Sequence, residues 1–177
     1  VGYQAAYNGT TATGVVAIGH TALRANTANF NAAVGFEALL SNTTGTGNTA
    51  LGTDAVYLNT TGSNNTGLGW GALAANTTAS YNTAVGYQAG YSNTTGTIDA
   101  FGNAALRANT TGTNNTGIGN GALYTNTTGG SNIAMGNSAA LLNTTGSYNT
   151  ALGVAALYSN TTASNNTAVA VSYTHLR

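Results

Sequence analysis

"NTTGSNNTGLGWGALAANTTASYNTAVGYQAGYSNTTG", residues Asn59 to Gly96, is close to one phrase written twice. Asn-Thr-Thr opens it at Asn59, returns at Asn76 and closes it at Asn93, 17 residues apart each time. Outward from this stretch the period persists. A glycine recurs at Gly19, Gly35, Gly52, Gly69, Gly86, Gly102, Gly119, Gly136 and Gly153, at spacings of 16 or 17. An apolar residue precedes it each time: Ile18, Val34, Leu51, Leu68, Val85, Phe101, Ile118, Met135 and Leu152. Four residues after the glycine runs a second ladder, with Leu23, Leu39, Val56, Leu73, Leu106, Leu123 and Leu157 interrupted by Gly90 and Ala140. Each unit closes on an asparagine, from Asn26 and Asn42 through to Asn143 and Asn160. Nine units fill the chain, and Val1 to Asn8 read as the tail of a tenth.

A unit of this size is too short for a helix–turn–helix repeat, which needs 30 residues or more. It suits one coil of a parallel β-solenoid. The expected coil has a first strand such as Asn82 to Val85, a corner at Gly86-Tyr87-Gln88, a second strand over Ala89 to Ser92, and a turn at Asn93-Thr94-Thr95-Gly96. Strand alternation puts Thr83 and Val85 on one face, taken as inward, with the Leu ladder of the second strand also inward. Ala84, Gly86 and Ala89 are then outward and small. Coils stacked at about 4.8 Å would align identical residues. Stacked Asn side chains can then hydrogen-bond along the axis, and glycine supplies a corner with positive φ. The units between Asn26 and Val34 and between Asn93 and Phe101 are one residue short in the Asn-Thr-Thr-Gly turn, and Asn8 to Val15 is one long. That marks the turn as an outward loop.

The composition excludes several functions. Among 177 residues there are three basic and three acidic ones, a charged fraction of 3%, against about 25% in ordinary domains. Such a surface cannot track a phosphate backbone or an anionic membrane, so nucleic-acid binding and membrane contact are not expected. There is no Cys and no Pro, hence no thiolate metal site, and no cofactor is implied. The chain opens on Val1 and reads as a fragment of a longer fibre. Residues 1–169 form the repeat array. Residues 170–177, where Ala170 replaces the expected glycine, fit no part of it; they read as the start of a neck or cap, or, the favoured reading, as a junction peptide translated from adaptor sequence.

The sequence contains no convergent catalytic constellation. Glu37 and Asp54 share a corner position one coil apart, Asp99 lies elsewhere, and His20 stands alone. The glycines recur once per coil and are structural rather than phosphate-binding. Asn42-Thr43-Thr44 and its equivalents match a glycosylation sequon but are what a stacked turn requires. The chain is therefore read as non-enzymatic. Two aromatic stripes are the candidate ligand or interchain contacts: Trp70 and Tyr87 just after the glycine, and Tyr57, Tyr91, Arg107, Tyr124 and Tyr158 just after the Leu ladder. Aromatic rings with polar handles suit glycan or protein contact.

At Val16-Ala17-Ile18-Gly19, Asn82-Thr83-Ala84-Val85-Gly86 and Asn149-Thr150-Ala151-Leu152-Gly153 the chain resembles the head repeats of trimeric autotransporter adhesins. That resemblance implies a left-handed parallel β-roll, three chains side by side, anchored to the bacterial outer membrane and holding an adhesive surface outside the cell toward a glycan or protein receptor. The coils here are longer than that family's, and Thr usually replaces its first Val. The arrays are also similar to those of phage-type tail fibre proteins, which implies a virion tail instead. An ice-binding solenoid is a third reading. The expectation that Thr49, Thr66, Thr83, Thr116, Thr150 and Thr167 share the inner side weighs against it.

Overall fold

The computed structural model describes residues 1–9 and 11–170; the non-repeat segment from Val171 onward lies outside them. The chain is a parallel β-solenoid of about nine coils with no helix among the described residues. Its ten strands are β1 (Val16–Ile18), β2 (Ala32–Val34), β3 (Thr49–Leu51), β4 (Thr66–Leu68), β5 (Thr83–Val85), β6 (Ile98–Phe101), β7 (Asn115–Ile118), β8 (Ile133–Met135), β9 (Thr150–Leu152) and β10 (Thr167–Val169). They form one parallel sheet in chain order. The register repeats the sequence ladders: Thr49, Ala50 and Leu51 lie against Thr66, Gly67 and Leu68.

Each coil carries one strand, not two. The segment expected as the second strand is a run of tight turns. After Gly19, the amides of Ala22, Arg24 and Asn26 donate to the carbonyls of Gly19, Thr21 and Leu23. Thr21 and Leu23 stand at φ 53° and 54°, the left-handed value that the third residue of a type II turn adopts. The run still pairs with both neighbours, since Glu37 N donates back to His20 O and Leu39 N donates forward to Ala55 O. Regular inter-coil bonding offsets a left-handed penalty of about 1–2 kcal/mol per residue. The burial pattern carries the distinction. Ala38 and Leu39 are adjacent and both fully buried, which a strand with one face open to solvent does not allow.

The faces of the sheet are also the reverse of expectation. The middle residue of each strand points inward: Ala33, Ala50, Ala84, Ala100, Ala134 and Ala151 are buried. The larger apolar residues before the glycine point out, with Ile18 46% and Leu51 51% exposed. Thr83 and Val85 do share a face, but it is the outer one, and Ala84 and Ala89 are inside rather than outside. The reason is thickness. Gly67 already sits so close to the opposite wall that an added Cβ would come within 2.6 Å of Val56 Cγ2 and 3.0 Å of the Ala72 carbonyl oxygen. Only Ala or Gly fits opposite the Leu ladder, so a coil buries at most one large apolar side chain rather than two, and the coil with Ala140 in the ladder buries none.

Asparagine fills the remaining interior. In the expected ladder, Asn42, Asn59, Asn76, Asn93, Asn109, Asn126 and Asn143 are fully buried. Asn59 Nδ2 donates to Asn42 Oδ1 at 2.7 Å, and Asn76 Nδ2 to Asn59 Oδ1 at 2.8 Å. Each also closes its own turn, as Asn59 does on the Gly62 carbonyl at 2.8 Å. A second buried ladder, Asn31, Asn48, Asn65, Asn82, Asn115, Asn132 and Asn149, lies just before or at the start of the strands. Here the Oδ1 of one coil accepts the backbone amide of the next, as Asn48 Oδ1 does from Asn65 N at 3.0 Å. Among the described residues no buried side-chain nitrogen or oxygen lacks a partner.

One coil breaks both patterns in a compensated way. Gly90 stands in the Leu ladder and Ile98 in the second Asn ladder. A Cβ on Gly90 would meet Ile98 Cδ1 at 2.6 Å, so Ile98 occupies the space a leucine would fill. Its amide keeps the ladder bond to Asn82 Oδ1 at 2.7 Å.

Candidate binding surface

The run of turns positions the candidate residues. Residues just after the glycine and those four positions further on lie on the outer side of the run, and inter-coil backbone bonding fixes their vertical spacing. The two expected stripes meet there. Trp70 stacks on Tyr87 with ring centroids 5.2 Å apart and planes 15° apart, and lies 6.5 Å from the Tyr91 ring. Arg107 sits between Tyr91 and Tyr124, its guanidinium carbon 5.6 and 5.7 Å from the two ring centroids. Two hydrogen bonds hold it: Nε donates to Gln88 Oε1 at 2.8 Å and Nη1 to Tyr124 Oη at 3.2 Å. Trp70, Tyr87, Tyr91, Arg107 and Tyr124 therefore form one continuous strip across four coils.

Tyr57 and Tyr158 stand apart from it. Ala74 occupies the ladder position between Tyr57 and Tyr91, and Leu141 the position between Tyr124 and Tyr158. A separate stack, Tyr3 on His20 on Phe36 with centroids 5.2 Å apart at each step, ends at Thr53. Trp70 and Tyr87 remain 41% and 51% exposed. The strip thus offers flat apolar rings, phenolic hydroxyls and one immobilised cation, a set suited to stacking and hydrogen bonding rather than to bond cleavage.

The carboxylates do not converge. Glu37 and Asp54 lie in the run of turns, while Asp99 lies on the outer face of β6. No group of three His, Asp or Glu among the described residues could hold a metal ion. The sequon asparagines are interior: Asn42 is fully buried, and its amide donates to Asn26 Oδ1 and to the Gly45 carbonyl.

Sequence reasoning missed three features. Gln88 anchors Arg107 from the coil before. The second Asn ladder is signalled by the Asn-Asn doublets at 64–65, 114–115 and 165–166. Phe30, Tyr81 and Tyr148 stand just before that ladder, at φ 59°, 64° and 57°, and are two-thirds or more exposed. Asn64 and Asn114 hold the same left-handed conformation in other coils. Comparison with protein-family models, with curated proteins and with solved structures finds no match.

Proposed function

We propose that the chain is a segment of a non-enzymatic, trimeric surface fibre that presents an adhesive surface outside a bacterial cell. The carrying observation is the ordered strip from Trp70 to Tyr124. It sets aromatic rings and a guanidinium at fixed spacing on a scaffold that repeats its backbone bonds coil after coil. Hot spots of binding surfaces favour Trp, Tyr and Arg, and a pre-organised strip loses little side-chain entropy on binding.

The trimeric part rests on the outward aliphatic ladder. Ten residues from Ile18 to Val169 line one face of the sheet. With Ile18 46% and Met135 41% exposed, they amount to on the order of 800 Å² per chain, the per-partner area of a standard interface. A contiguous apolar patch of that size marks an interaction surface. Near-zero net charge removes the repulsion that opposes association. Sedimentation at low micromolar concentration is expected to show three chains or multiples of three; a stable monomer would remove the trimer.

The adhesive part is tested with beads coated with the chain, on immobilised glycans and extracellular-matrix proteins. Trp70→Ala combined with Arg107→Ala should abolish retention, and unchanged retention would sink the role given to the strip. A virion tail fibre is the second reading, supported by the same strip. Outward Thr ladders favour ice binding more than the expected inward ones did. Asp99, Phe101, Ile133 and Met135 nevertheless interrupt the regular face that an ice lattice requires, so this reading ranks third; an ice-recrystallisation assay tests it.

A further inference from the structure

We infer a second binding site, for a hydroxyl-rich ring such as a neutral pyranose, at a vacant rung of the outer turn beside Tyr81 and Asp99. It rests on the reading of the chain as a binding module but uses a different face from the aromatic strip. The positions just before the second Asn ladder form their own outer ladder: Gly47, Asn64, Tyr81, then Asn114, Ser131, Tyr148 and Asn165, all with left-handed backbones. The coil from Asn93 to Ile98 has no such residue. It runs Asn93-Thr94-Thr95-Gly96-Thr97-Ile98, one short, and the residue lost is the outer one. Asn93 still closes on Gly96 O at 2.9 Å, and Ile98 still takes the place of the ladder asparagine. Thr97 Oγ1 accepts the Asn114 amide at 2.9 Å across the gap.

Rungs lie about 4.8 Å apart, so a missing one separates Tyr81 from Asn114 by roughly 9.6 Å. A cleft of about 400 Å³ opens there, lined by Tyr81, Thr97, Asp99, Asn114 and Thr116 with Ile98 and Asn115. That volume lies within the range of small-ligand sites. Its chemistry is specific. Tyr81 is 75% exposed, and no side chain follows it at the next rung, so a ring entering the gap finds an unoccupied aromatic partner. Asp99 stands at the position where six other coils place Thr on this face, and Glu37 and Asp54 are in the run of turns. A carboxylate can accept from two neighbouring hydroxyls. Asn114 Nδ2 and the Thr116 hydroxyl make no hydrogen bond within the described residues and supply further donors. One aromatic wall, one bidentate acceptor and uncommitted amide and hydroxyl groups fit a sugar ring better than a planar apolar ligand or an anion.

The test uses saturation-transfer NMR on the whole chain with the methyl glycosides of glucose, galactose, mannose, N-acetylglucosamine and fucose at millimolar concentration. At least one is expected to bind. Tyr81→Ala and Asp99→Asn should each weaken it about tenfold. Tyr148→Ala, at the same position without a vacant rung, and Trp70→Ala should leave it unchanged. Insertion of one Asn between Thr97 and Ile98 restores the regular turn, so the chain should keep its far-UV spectrum and lose the sugar. Absence of transfer from all five glycosides overturns the proposal, as does full binding by the insertion variant or displacement of the sugar by lysine methyl ester, which would make the site one for ammonium groups. If the glycosides fail while Trp70→Ala with Arg107→Ala still abolishes bead retention, this site falls and the adhesive strip stands.

Discussion

Replacing Asn76 by Ala tests whether the fold depends on its polar interior. Asn76 Nδ2 donates to Asn59 Oδ1 at 2.8 Å and to the Ala79 carbonyl at 3.0 Å; its Oδ1 accepts from Asn93 Nδ2 and Asn82 Nδ2, each at 3.2 Å. Some of these partners have alternatives. Ala79 O keeps Asn65 Nδ2 at 2.9 Å, and Asn93 Nδ2 keeps Gly96 O at 2.9 Å. Two do not: Asn59 Oδ1 loses its donor and Asn82 Nδ2 its acceptor, both inside residues that are fully buried. An orphaned buried group costs about 1–3 kcal/mol, so the pair amounts to about 2–6 kcal/mol. Urea denaturation followed by far-UV circular dichroism reads the loss, with Thr61→Ala as the reference. Thr61 is exposed, and its truncation should stay within about 0.5 kcal/mol. Stability in a repeat array is shared mainly between neighbours, so native-state hydrogen exchange should locate the damage within one coil of Asn76. If Asn76→Ala were no more harmful than Thr61→Ala, the ladder would be a by-product of stacking and not its support.

Other substitutions separate the two faces of the sheet and the special coil. Leu73→Asp buries an unpartnered charge at a position with no exposure and should prevent the surrounding coils from folding, whereas Leu68→Asp on the outer face should leave the circular dichroism of the chain intact and disrupt only association; equal loss of secondary structure would refute the face assignment. Gly86→Ala drives a Cβ into the Gly102 carbonyl at φ 133° and should cost about 3 kcal/mol or more, read as a lower urea midpoint. Gly90→Leu and Ile98→Asn should each destabilise, but the double variant should recover about 0.5–3 kcal/mol of the summed loss, the usual coupling of touching residues; strict additivity in a double-mutant cycle would contradict the shared space.

The period, the parallel stacking and the Leu and first Asn ladders were legible because each is a one-dimensional signal. Spacing alone identifies residues that will stack. The inside of the roll was less legible, since strand alternation says which residues share a face but not which face is inner. Val85 and Thr83 were placed inside on size, yet the interior is too shallow for anything beyond Ala84 opposite Leu73. That depth comes from the run of turns, and no local pattern distinguishes Ala89 to Ser92 in such turns from a short strand. Left-handed backbones at Leu23, Leu39 and Val56 run against propensity and arise from bonding between coils. Of the candidate residues, Trp70, Tyr87, Tyr91, Arg107 and Tyr124 come together because two stripes converge in space. Tyr57 and Tyr158 could have been separated from them by noting Ala74 and Leu141 between. Tyr81 escaped because it belongs to neither stripe.

The single-stranded coil also has a mechanical consequence. Every inter-coil bond lies roughly along the solenoid axis, so a pull applied to the ends of the chain does not shear a broad sheet; it peels one coil at a time. A coil adds about 4.8 Å to the solenoid when stacked, but its 17 residues reach about 58 Å when drawn straight. Each release therefore lengthens the tether by about 53 Å, more than ten times the height of the coil it gives up. Tension would be dissipated in near-identical steps, and relaxed coils would find their template in the intact neighbour beneath. Such a thread behaves as a shock absorber whose working stroke is set by the number of repeats.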